Sequence, residues 1–184
     1  MTPTPAPTSP SADPQVDIRV LMSGFPTGVT IVTATAPDAT PWGMTCSSLV
    51  SVSARPPVLL VCLRSGSPTL EAVAGSGRFA VNLLRAQARP AAMLFASGAA
   101  DRFDRVAWRA GDGAAGPHLL DAAHSVADCT VVDEKVVGDH SVVMGRVDAV
   151  TRLHAQEPLL YGMRRFESWP EDGDDGYLFY DFIS

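Results

Sequence analysis

The sequence lacks the features of several common protein classes. It contains no apolar run long enough to span a membrane. It has no basic stripe, because 14 Lys and Arg stand against 20 Asp and Glu, a formal net charge of −6. Its three cysteines, Cys46, Cys62 and Cys129, are widely spaced and form no CxxC pair. These absences argue against a membrane protein, nucleic-acid binding and a disulfide framework, and they predict a cytoplasmic chain with reduced thiols.

The motifs of several enzyme classes are also missing. There is no GxxxxGK[ST] phosphate loop and no GxSxG elbow, and residues 75–80 lack the third glycine of a dinucleotide fingerprint. His118 and His124 have no cysteine or carboxylate at zinc-like spacing, so we expect no metal site. No nucleophile signature surrounds Cys46, which we interpret as a small buried thiol.

The composition is that of one globular domain with short flanking segments. Of 184 residues, 46% are hydrophobic and 18% charged, which is enough for a sizeable core. Residues 1–14 hold five prolines among small polar residues, which predicts a disordered arm. Residues 171–184 form a C-terminal tail that ends in YLFYDFIS, which we expect to pack on the body or on a partner subunit. The folded domain is therefore expected over residues 15–170.

Runs of β-branched residues between turn-rich segments predict a chain made mostly of strands. We expect strands at residues 27–36, 43–53, 58–64 and 78–85, and a hairpin of residues 125–137 and 141–153. Short helices are expected at residues 16–23, after the N-cap Ser67 and at residues 87–97. About six strands and at most three helices, without regular alternation, favour a closed or split antiparallel barrel over a parallel α/β sheet.

One segment combines β-forming residues with many hydroxyl groups. Residues 42–57 read WGMTCSSLVSVSARPP and lie between two apolar strands. Hydroxyl and N–H groups held rigid by apolar neighbours suit a ligand with acceptor oxygens and a flat apolar part. An edge strand with a solvated polar face explains the pattern equally well. Within the strand at 78–85, Asn82 is poorly placed unless it has hydrogen-bond partners.

The ordered set of motifs resembles the short-chain flavin reductases, the reductase components of two-component flavin-dependent monooxygenases. The matching segments are FPTGVTIVTA (25–34), GMTCSSLVSVSARPPVLLVCL (43–63), SGRFAVNLL (76–84), DRF (101–103), GDH (138–140) and PLLY (158–161). The resemblance implies a mainly β, split β-barrel of Greek-key type with a few short helices. It implies a homodimer that transfers a hydride from NADH or NADPH to N5 of FAD or FMN. The reduced flavin then diffuses to a partner monooxygenase.

The resemblance also implies where the two ligands bind. The flavin is expected against Pro41, Trp42, Gly43, Met44, Thr45, Ser47, Ser48, Cys62, Leu63, Arg64, Ser67, Thr69, Leu94 and Phe95. The nicotinamide nucleotide is expected near His140, Tyr161, Gly162, Met163 and Arg164, with His140 orienting the nicotinamide. NADH is favoured over NADPH, because Arg164 and Arg165 are the only basic residues close to Tyr161 in the sequence.

The leading hypothesis is therefore an NAD(P)H:flavin oxidoreductase. Such chemistry needs little acid–base machinery from the protein, because the cofactor carries the reactivity. The alternative is a flavin-binding or carrier module of the same fold without reductase turnover. The GDH turn at residues 138–140 and the region of Tyr161 argue against the carrier.

Overall fold

The computed structural model describes residues 17–111, 113–155 and 157–169. The predicted N-terminal arm and C-terminal tail lie outside these residues, so the structure does not test those two predictions. Within the described part of the chain, no helix has the length and apolar character needed to cross a membrane.

Short strands dominate the described residues. They are β1 (Thr27–Gly28), β2 (Thr30–Thr35), β3 (Pro41–Cys46), β4 (Val50–Ala54), β5 (Pro57–Arg64), β6 (Arg78–Leu84), β7 (Trp108–Arg109), β8 (His118–Leu119), β9 (Ala123–Val137), β10 (His140–Arg152), β11 (Leu159–Gly162) and β12 (Arg165–Ser168). The helices are α1 (Ile18–Ser23), α2 (Pro68–Ser76) and α3 (Arg89–Ser97), with a 3-10 turn at Ala86–Ala88. The mainly β class with a few short helices is confirmed, but the estimate of about six strands is too low, because two-residue strands carry no periodic signal.

Seven strands form one antiparallel sheet in the order β3-β2-β6-β9-β10-β5-β4. Its centre is the long β9–β10 hairpin, which bulges at Met144/Gly145 and at Val147/Ala149. Bulges bend a strand and increase its twist, so they help to curl the sheet. The two sides of the sheet meet where the backbone N–H of Cys62 donates to the Ser48 hydroxyl, 2.8 Å away. No backbone ladder joins β3 to β5 among the described strands, so the curled sheet stays open.

Two apolar clusters hold the elements together. One fills the curled sheet around Val32, Val61, Leu63 and Phe79, all fully buried. The other joins β2 and β6 to α3 and the segment after it, through side chains that include Ile31, Leu84, Phe95, Phe103 and Leu119. Phe95 meets Phe103 edge-to-face with ring centroids 5.1 Å apart. The second cluster therefore fixes α3 against the sheet.

Several polar residues are buried beside these clusters, and we call Thr33, Asn82, His118 and Asp128 the polar core. The Asn82 side-chain nitrogen lies 3.1 Å from the Thr33 hydroxyl, and its oxygen accepts the N–H of Leu119 at 2.8 Å. This confirms that Asn82 has hydrogen-bond partners. Asp128 Oδ1 lies 2.9 Å from His118 Nε2 and accepts the N–H of Ala115 at 2.7 Å. The polar core therefore attaches the segment before β8 to β6 and β9.

Burial alone raises the pKa of the Asp128 carboxyl group. The hydrogen bonds from His118 and from the backbone of Ala115, with the charges of His118 and Arg78, outweigh that effect. Their sum holds the pKa of Asp128 below its usual value.

The predicted polar strand at 43–53 is wrong in one informative respect. It is two strands, since β3 pairs with β2 and β4 pairs with β5. Residues 47–49 connect these strands across the opening of the sheet. A local pattern shows which residues favour a strand, whereas the choice of partner strand depends on the rest of the fold.

Candidate active site

The site lies at the opening of the sheet, where two cavities adjoin. The larger, of about 510 Å³, is called the arginine cavity and is lined by Val29, Thr45, Ser47, Arg89, Met93, Ala96, Tyr161, Arg164, Arg165 and Phe166. The second, of about 430 Å³, extends to α1 and is lined by Arg19, Met22, Ser23, Phe25, Thr27, Ser47, Ser48, Tyr161, Gly162 and Arg164. Ser47, Tyr161 and Arg164 line both cavities, so the two form one recess.

A tight hairpin places one wall of the recess. Residues Met163 and Arg164, with φ of 49° and 60°, make the two-residue turn between β11 and β12. Two consecutive positive φ angles match the twist of a type I′ hairpin turn. The N–H of Met163 donates to the carbonyl of Ser23 at 2.7 Å, which ties the turn to α1. In the hairpin the rings of Tyr161 and Phe166 lie 5.0 Å apart.

Helix α3 provides the opposite wall. The Thr45 hydroxyl donates to the carbonyl of Ala92 at 2.7 Å, which anchors β3 to α3. Arg89, the first residue of α3, places its guanidinium 5.8 Å from the centroid of the Phe166 ring. That contact is a cation–π interaction between α3 and the hairpin.

The electrostatics of the arginine cavity differ from those of the whole chain. Three arginines line it, and no Asp or Glu of the described residues does. The chain as a whole carries a net charge of −6. Arg165 pairs with Glu167 at 3.0 Å, whereas Arg89 and Arg164 have no carboxylate partner within the described ranges. The cavity therefore presents positive charge beside aromatic rings, a surface suited to an anionic ligand with a flat apolar part.

Ser47 and Ser48, in the segment that connects β3 to β4 across the opening of the sheet, differ in their contacts. The Ser48 hydroxyl accepts the N–H of Cys62 and lies 3.0 Å from the Cys46 sulfur. Its hydrogen-bonding capacity is thus largely used within the protein. The Ser47 side chain is exposed, and its hydroxyl has no hydrogen-bond partner among the residues that the structure describes. Ser47 is therefore the serine available to a ligand.

The predicted flavin-binding residues of β3 lie on two faces of the strand. Thr45 faces α3, as does Gly43, where a Cβ would lie 2.9 Å from the ring of Phe95. Trp42 and Met44 pack on the opposite side. There Trp42 lies under the guanidinium of Arg102 at 5.2 Å, and burial lowers the pKa of Arg102. Side chains alternate along a strand, so this segment does not present all of its residues to one ligand.

Other predicted residues lie away from the recess. Leu63, Thr69 and Phe95 are buried in the interior, at most 2% exposed. The Ser67 hydroxyl accepts the N–H of Leu70, which confirms the predicted helix cap. The remaining predicted positions outside the recess are Pro41 at the start of β3, Cys62 and Arg64 at the end of β5, and Leu94 on α3. For all of these, contact with flavin stays a prediction.

The predicted nicotinamide residues are also divided. Tyr161, Gly162 and Arg164 meet at the recess, and the exposed Met163 completes the same turn. His140 begins β10 opposite Arg64 and lines neither cavity. Its Nδ1 lies 2.8 Å from Asp139 Oδ1, and this hydrogen bond lowers the pKa of Asp139. The role of His140 beside the nicotinamide stays a prediction.

Sequence reasoning did not include six lining residues of the arginine cavity among the binding residues: Val29, Arg89, Met93, Ala96, Arg165 and Phe166. The β11–β12 hairpin reaches α3 through the 3-10 turn, where the N–H of Ala86 donates to the carbonyl of Glu157 at 2.8 Å. No local pattern connects segments so distant in sequence. For Arg89 and Arg165, the positive charge of the residue was the only available signal.

Known proteins match this chain over most of its length. The family model for the flavin reductase like domain matches residues 22–170. The chain is 52% identical over 157 residues to a flavin reductase (NADPH) from Lentzea aerocolonigenes, covering 85% of this chain and 91% of that protein. It is 34% identical over 182 residues to an NADH-dependent FAD reductase from Streptomyces globisporus, covering 96% of this chain and 98% of that one.

Solved structures show the same likeness. The NADH:FAD oxidoreductase of Streptomyces globisporus, in complex with NAD and FAD fragments, aligns with a TM-score of 0.79 at 32% identity. That alignment covers 90% of this chain and all of the other, 100%. The styrene monooxygenase flavin reductase of Pseudomonas putida aligns with a TM-score of 0.75 at 29% identity, covering 84% and 98%. The fold is thus shared with solved flavin reductases, and this chain belongs to the family of flavin reductase-like domain proteins.

Proposed function

We propose that this chain is an NAD(P)H:flavin oxidoreductase that reduces FAD or FMN and supplies free reduced flavin to a partner monooxygenase. The observation that carries the proposal is the recess where Ser47, Tyr161 and Arg164 join an aromatic wall to a cationic one. The names of the relatives support the same activity. They divide between NADPH and NADH, and one names a monooxygenase system.

The residues of the recess fit a flavin. The volumes of the two cavities lie within the range usual for cofactor sites, and their apolar lining includes Met93, Tyr161 and Phe166. The Ser47 hydroxyl has no partner within the described residues and is available as a donor to a ribityl or phosphate group. When bound, the flavin supplies the redox chemistry by accepting a hydride from reduced nicotinamide.

The contribution of the protein is alignment and shielding. The aromatic pair of Tyr161 and Phe166 provides a flat apolar surface for a ring. The bond from Thr45 to Ala92 fixes the spacing between β3 and α3, and hence the width of the cavity. Holding two reactants in a fixed geometry is a large part of catalysis in reactions of this kind. None of the recess residues is assigned a proton-transfer role.

The proposed assembly is a homodimer. Helix α1 has no buried residue, and its Ile18, Val20 and Leu21 are 64%, 71% and 74% exposed. Beside α1, Phe25 is 62% exposed. Contiguous exposed apolar surface of this kind marks an interaction site. A second copy is the proposed occupant, because the resemblance implies a homodimer and α1 borders the recess.

Light scattering of the purified protein tests the homodimer. We expect the wild-type mass of a dimer, and Leu21→Glu is expected to shift it towards the monomer. Glu71→Lys on the exposed side of α2 is the control and should leave the dimer intact. A wild-type monomer at working concentrations would contradict the proposal.

The proposed domain spans residues 15–170, supported by the family match over residues 22–170. The proposed location is the cytoplasm. Cys46, Cys62 and Cys129 are all free thiols, and burial raises the pKa of Cys129 to about 12. Three cysteines without disulfide partners are compatible with a reducing compartment.

The test of function is oxidation of NADH and NADPH by the purified protein, with and without added FMN or FAD. We expect turnover that depends on added flavin. Tyr161→Ala, which removes a ring from both cavities, should lower kcat/KM, whereas Val150→Ala on the exposed face of β10 should not. Flavin binding without nicotinamide oxidation under any combination would leave the carrier module as the function.

A further inference from the structure

We propose that Arg89, Arg164 and Arg165 form a site for a phosphate monoester, the 2′-phosphate of NADPH, and that the enzyme therefore prefers NADPH over NADH. This inference rests on the proposed function, since it names the nicotinamide substrate of the same recess. It differs from the sequence-based expectation, which favoured NADH.

The three guanidinium groups come from separate elements and converge on one cavity. Arg89 begins α3, Arg164 lies in the hairpin turn, and Arg165 begins β12. Within the described residues, the carboxylate of Glu167, 3.0 Å from Arg165, is the only recorded salt-bridge partner of these three side chains. Two cationic groups are thus left for a ligand in a chain of net charge −6.

Contacts within the protein position two of these side chains and the backbone of the third before any ligand arrives. Arg89 lies over the Phe166 ring, and the ion pair with Glu167 orients Arg165. The Arg164 backbone is fixed by a turn whose neighbour, Met163, donates to Ser23. The side chains of Arg89 and Arg165, held in this way, lose little entropy on binding, which favours bidentate recognition of phosphate.

The concentration of charge on one phosphorus favours a monoester over a pyrophosphate. A phosphate monoester carries about −1.5 to −2 charges near neutral pH and three strong acceptor oxygens on one phosphorus. Each phosphorus of the pyrophosphate that NADH and NADPH share is a diester with one negative charge. The two guanidinium groups without a carboxylate partner, beside the paired Arg165, match the concentrated charge of the monoester better.

Tertiary structure changes the premise on which NADH was favoured. In the sequence, only Arg164 and Arg165 are near Tyr161. The fold adds Arg89, because the strand bridge between Arg85 and Pro158 and the bond from Ala86 to Glu157 bring the start of α3 to the β11–β12 hairpin. Arg89 is thus the residue that completes the cationic wall.

The experiment measures KM for NADPH and for NADH in wild type, Arg89→Gln and Arg164→Gln, with flavin saturating. We expect each variant to raise KM for NADPH about tenfold and to leave KM for NADH within about twofold, since the lost contacts are charge-assisted hydrogen bonds. Arg109→Gln removes an exposed arginine outside the recess and should change neither value. Raised salt should increase KM for NADPH more steeply than KM for NADH.

A second arm identifies which phosphate is bound. Adenosine 2′-monophosphate should compete with NADPH in wild type, and its inhibition should weaken in both variants, whereas adenosine should inhibit all proteins equally. The same variants are then assayed with FMN and with riboflavin. We expect the ratio of their KM values to stay unchanged.

Three outcomes would overturn the inference. If the arginine variants raise KM for NADH and for NADPH by the same factor, the arginines bind the pyrophosphate that both nucleotides share. If the variants raise KM for FMN but not KM for riboflavin, the arginines bind the flavin phosphate. A wild-type enzyme without preference for NADPH would remove the site. All three leave flavin reduction by NADH intact, whereas a failure of the proposed function would abolish turnover with both nucleotides.

Discussion

Two groups of polar side chains in this protein have opposite hydrogen-bonding states. In the polar core, Thr33, Asn82, His118 and Asp128 are at most 6% exposed, and each side chain has a partner inside the protein. In the recess, the side chains of Ser47, Arg89 and Arg164 are exposed and find no hydrogen-bond or ion-pair partner within the described ranges. The side chains of the polar core use their hydrogen-bonding groups to hold segments together, whereas those of the recess keep theirs available for a ligand.

The difference separates stability from binding. A buried polar group costs free energy unless it is paired, so a satisfied network is expected to matter for folding. An exposed group without a protein partner adds little to stability and is available to a ligand. Substitutions in the two regions should therefore affect different measurements, and four predictions test this separation in order of decreasing effect.

The largest effect is expected from Asn82→Leu. The change leaves the N–H of Leu119 without its acceptor, and it removes the amide that donates to the Thr33 hydroxyl and to the carbonyl of Ile31. Each unsatisfied buried group costs about 1–3 kcal/mol, so we expect a loss of roughly 3 kcal/mol in the free energy of unfolding. Urea denaturation measures it. A loss below about 1 kcal/mol would show that the polar core is not a stabilising unit.

Asp128→Asn should cost about 2 kcal/mol at neutral pH, because it weakens the contacts with His118 and Ala115. The folded-state pKa of Asp128 is lowered, so its carboxylate stabilises the protein above the unfolded pKa of about 3.9. That stabilisation is lost as the pH falls through the folded pKa. The difference between wild type and variant, measured by denaturation at several pH values, should shrink below pH of about 4. A difference independent of pH would contradict the assignment.

Ser48→Ala should reduce stability by about 1 kcal/mol, because the N–H of Cys62 loses its acceptor where the sides of the sheet meet. Since this hydroxyl is already engaged, the Kd for flavin should stay within about twofold of the wild-type value. Denaturation and flavin fluorescence titration measure the two quantities. A large increase in Kd without a change in stability would reverse the roles assigned to Ser48 and Ser47.

The smallest change in free energy is expected from Ser47→Ala. Its hydroxyl makes no hydrogen bond to another described residue, so stability should change by less than about 0.5 kcal/mol. The Kd for flavin should rise about two- to tenfold, as expected for one neutral hydrogen bond. The same titration serves as the measurement, with Ser48→Ala as the matched control. An unchanged Kd would exclude Ser47 from the flavin site.

Much of the local structure could be predicted from the sequence. Ser67 and Pro68 mark a helix start by their capping chemistry, and Asn82 in an apolar strand requires internal partners, whatever the fold. The long β9–β10 hairpin follows from two β-rich runs on either side of Gly138. The ordered motifs also identified the family, which the comparisons confirm.

The candidate site was predictable only in part. The hydroxyl-rich segment and the region of Tyr161 were singled out, and the structure joins them at the recess. The break at residues 47–49 was not, because it arises when β3 and β4 join different sides of the sheet. The burial of Phe95 and Leu63 was missed for a related reason. Which face of a strand or helix is covered depends on the elements packed against it.

The sequence by itself determined the β-rich class, the caps and turns and the family, since these depend on residues that are near neighbours or on their order. Only the tertiary structure decided which polar groups are satisfied and which remain available. Arg89 shows the reason most clearly. Its position at the start of α3 is local, but its meeting with Arg164 and Phe166 depends on a hairpin closing against α3. Charged side chains that are far apart in the sequence can line one cavity, and their separation along the chain does not show that they do.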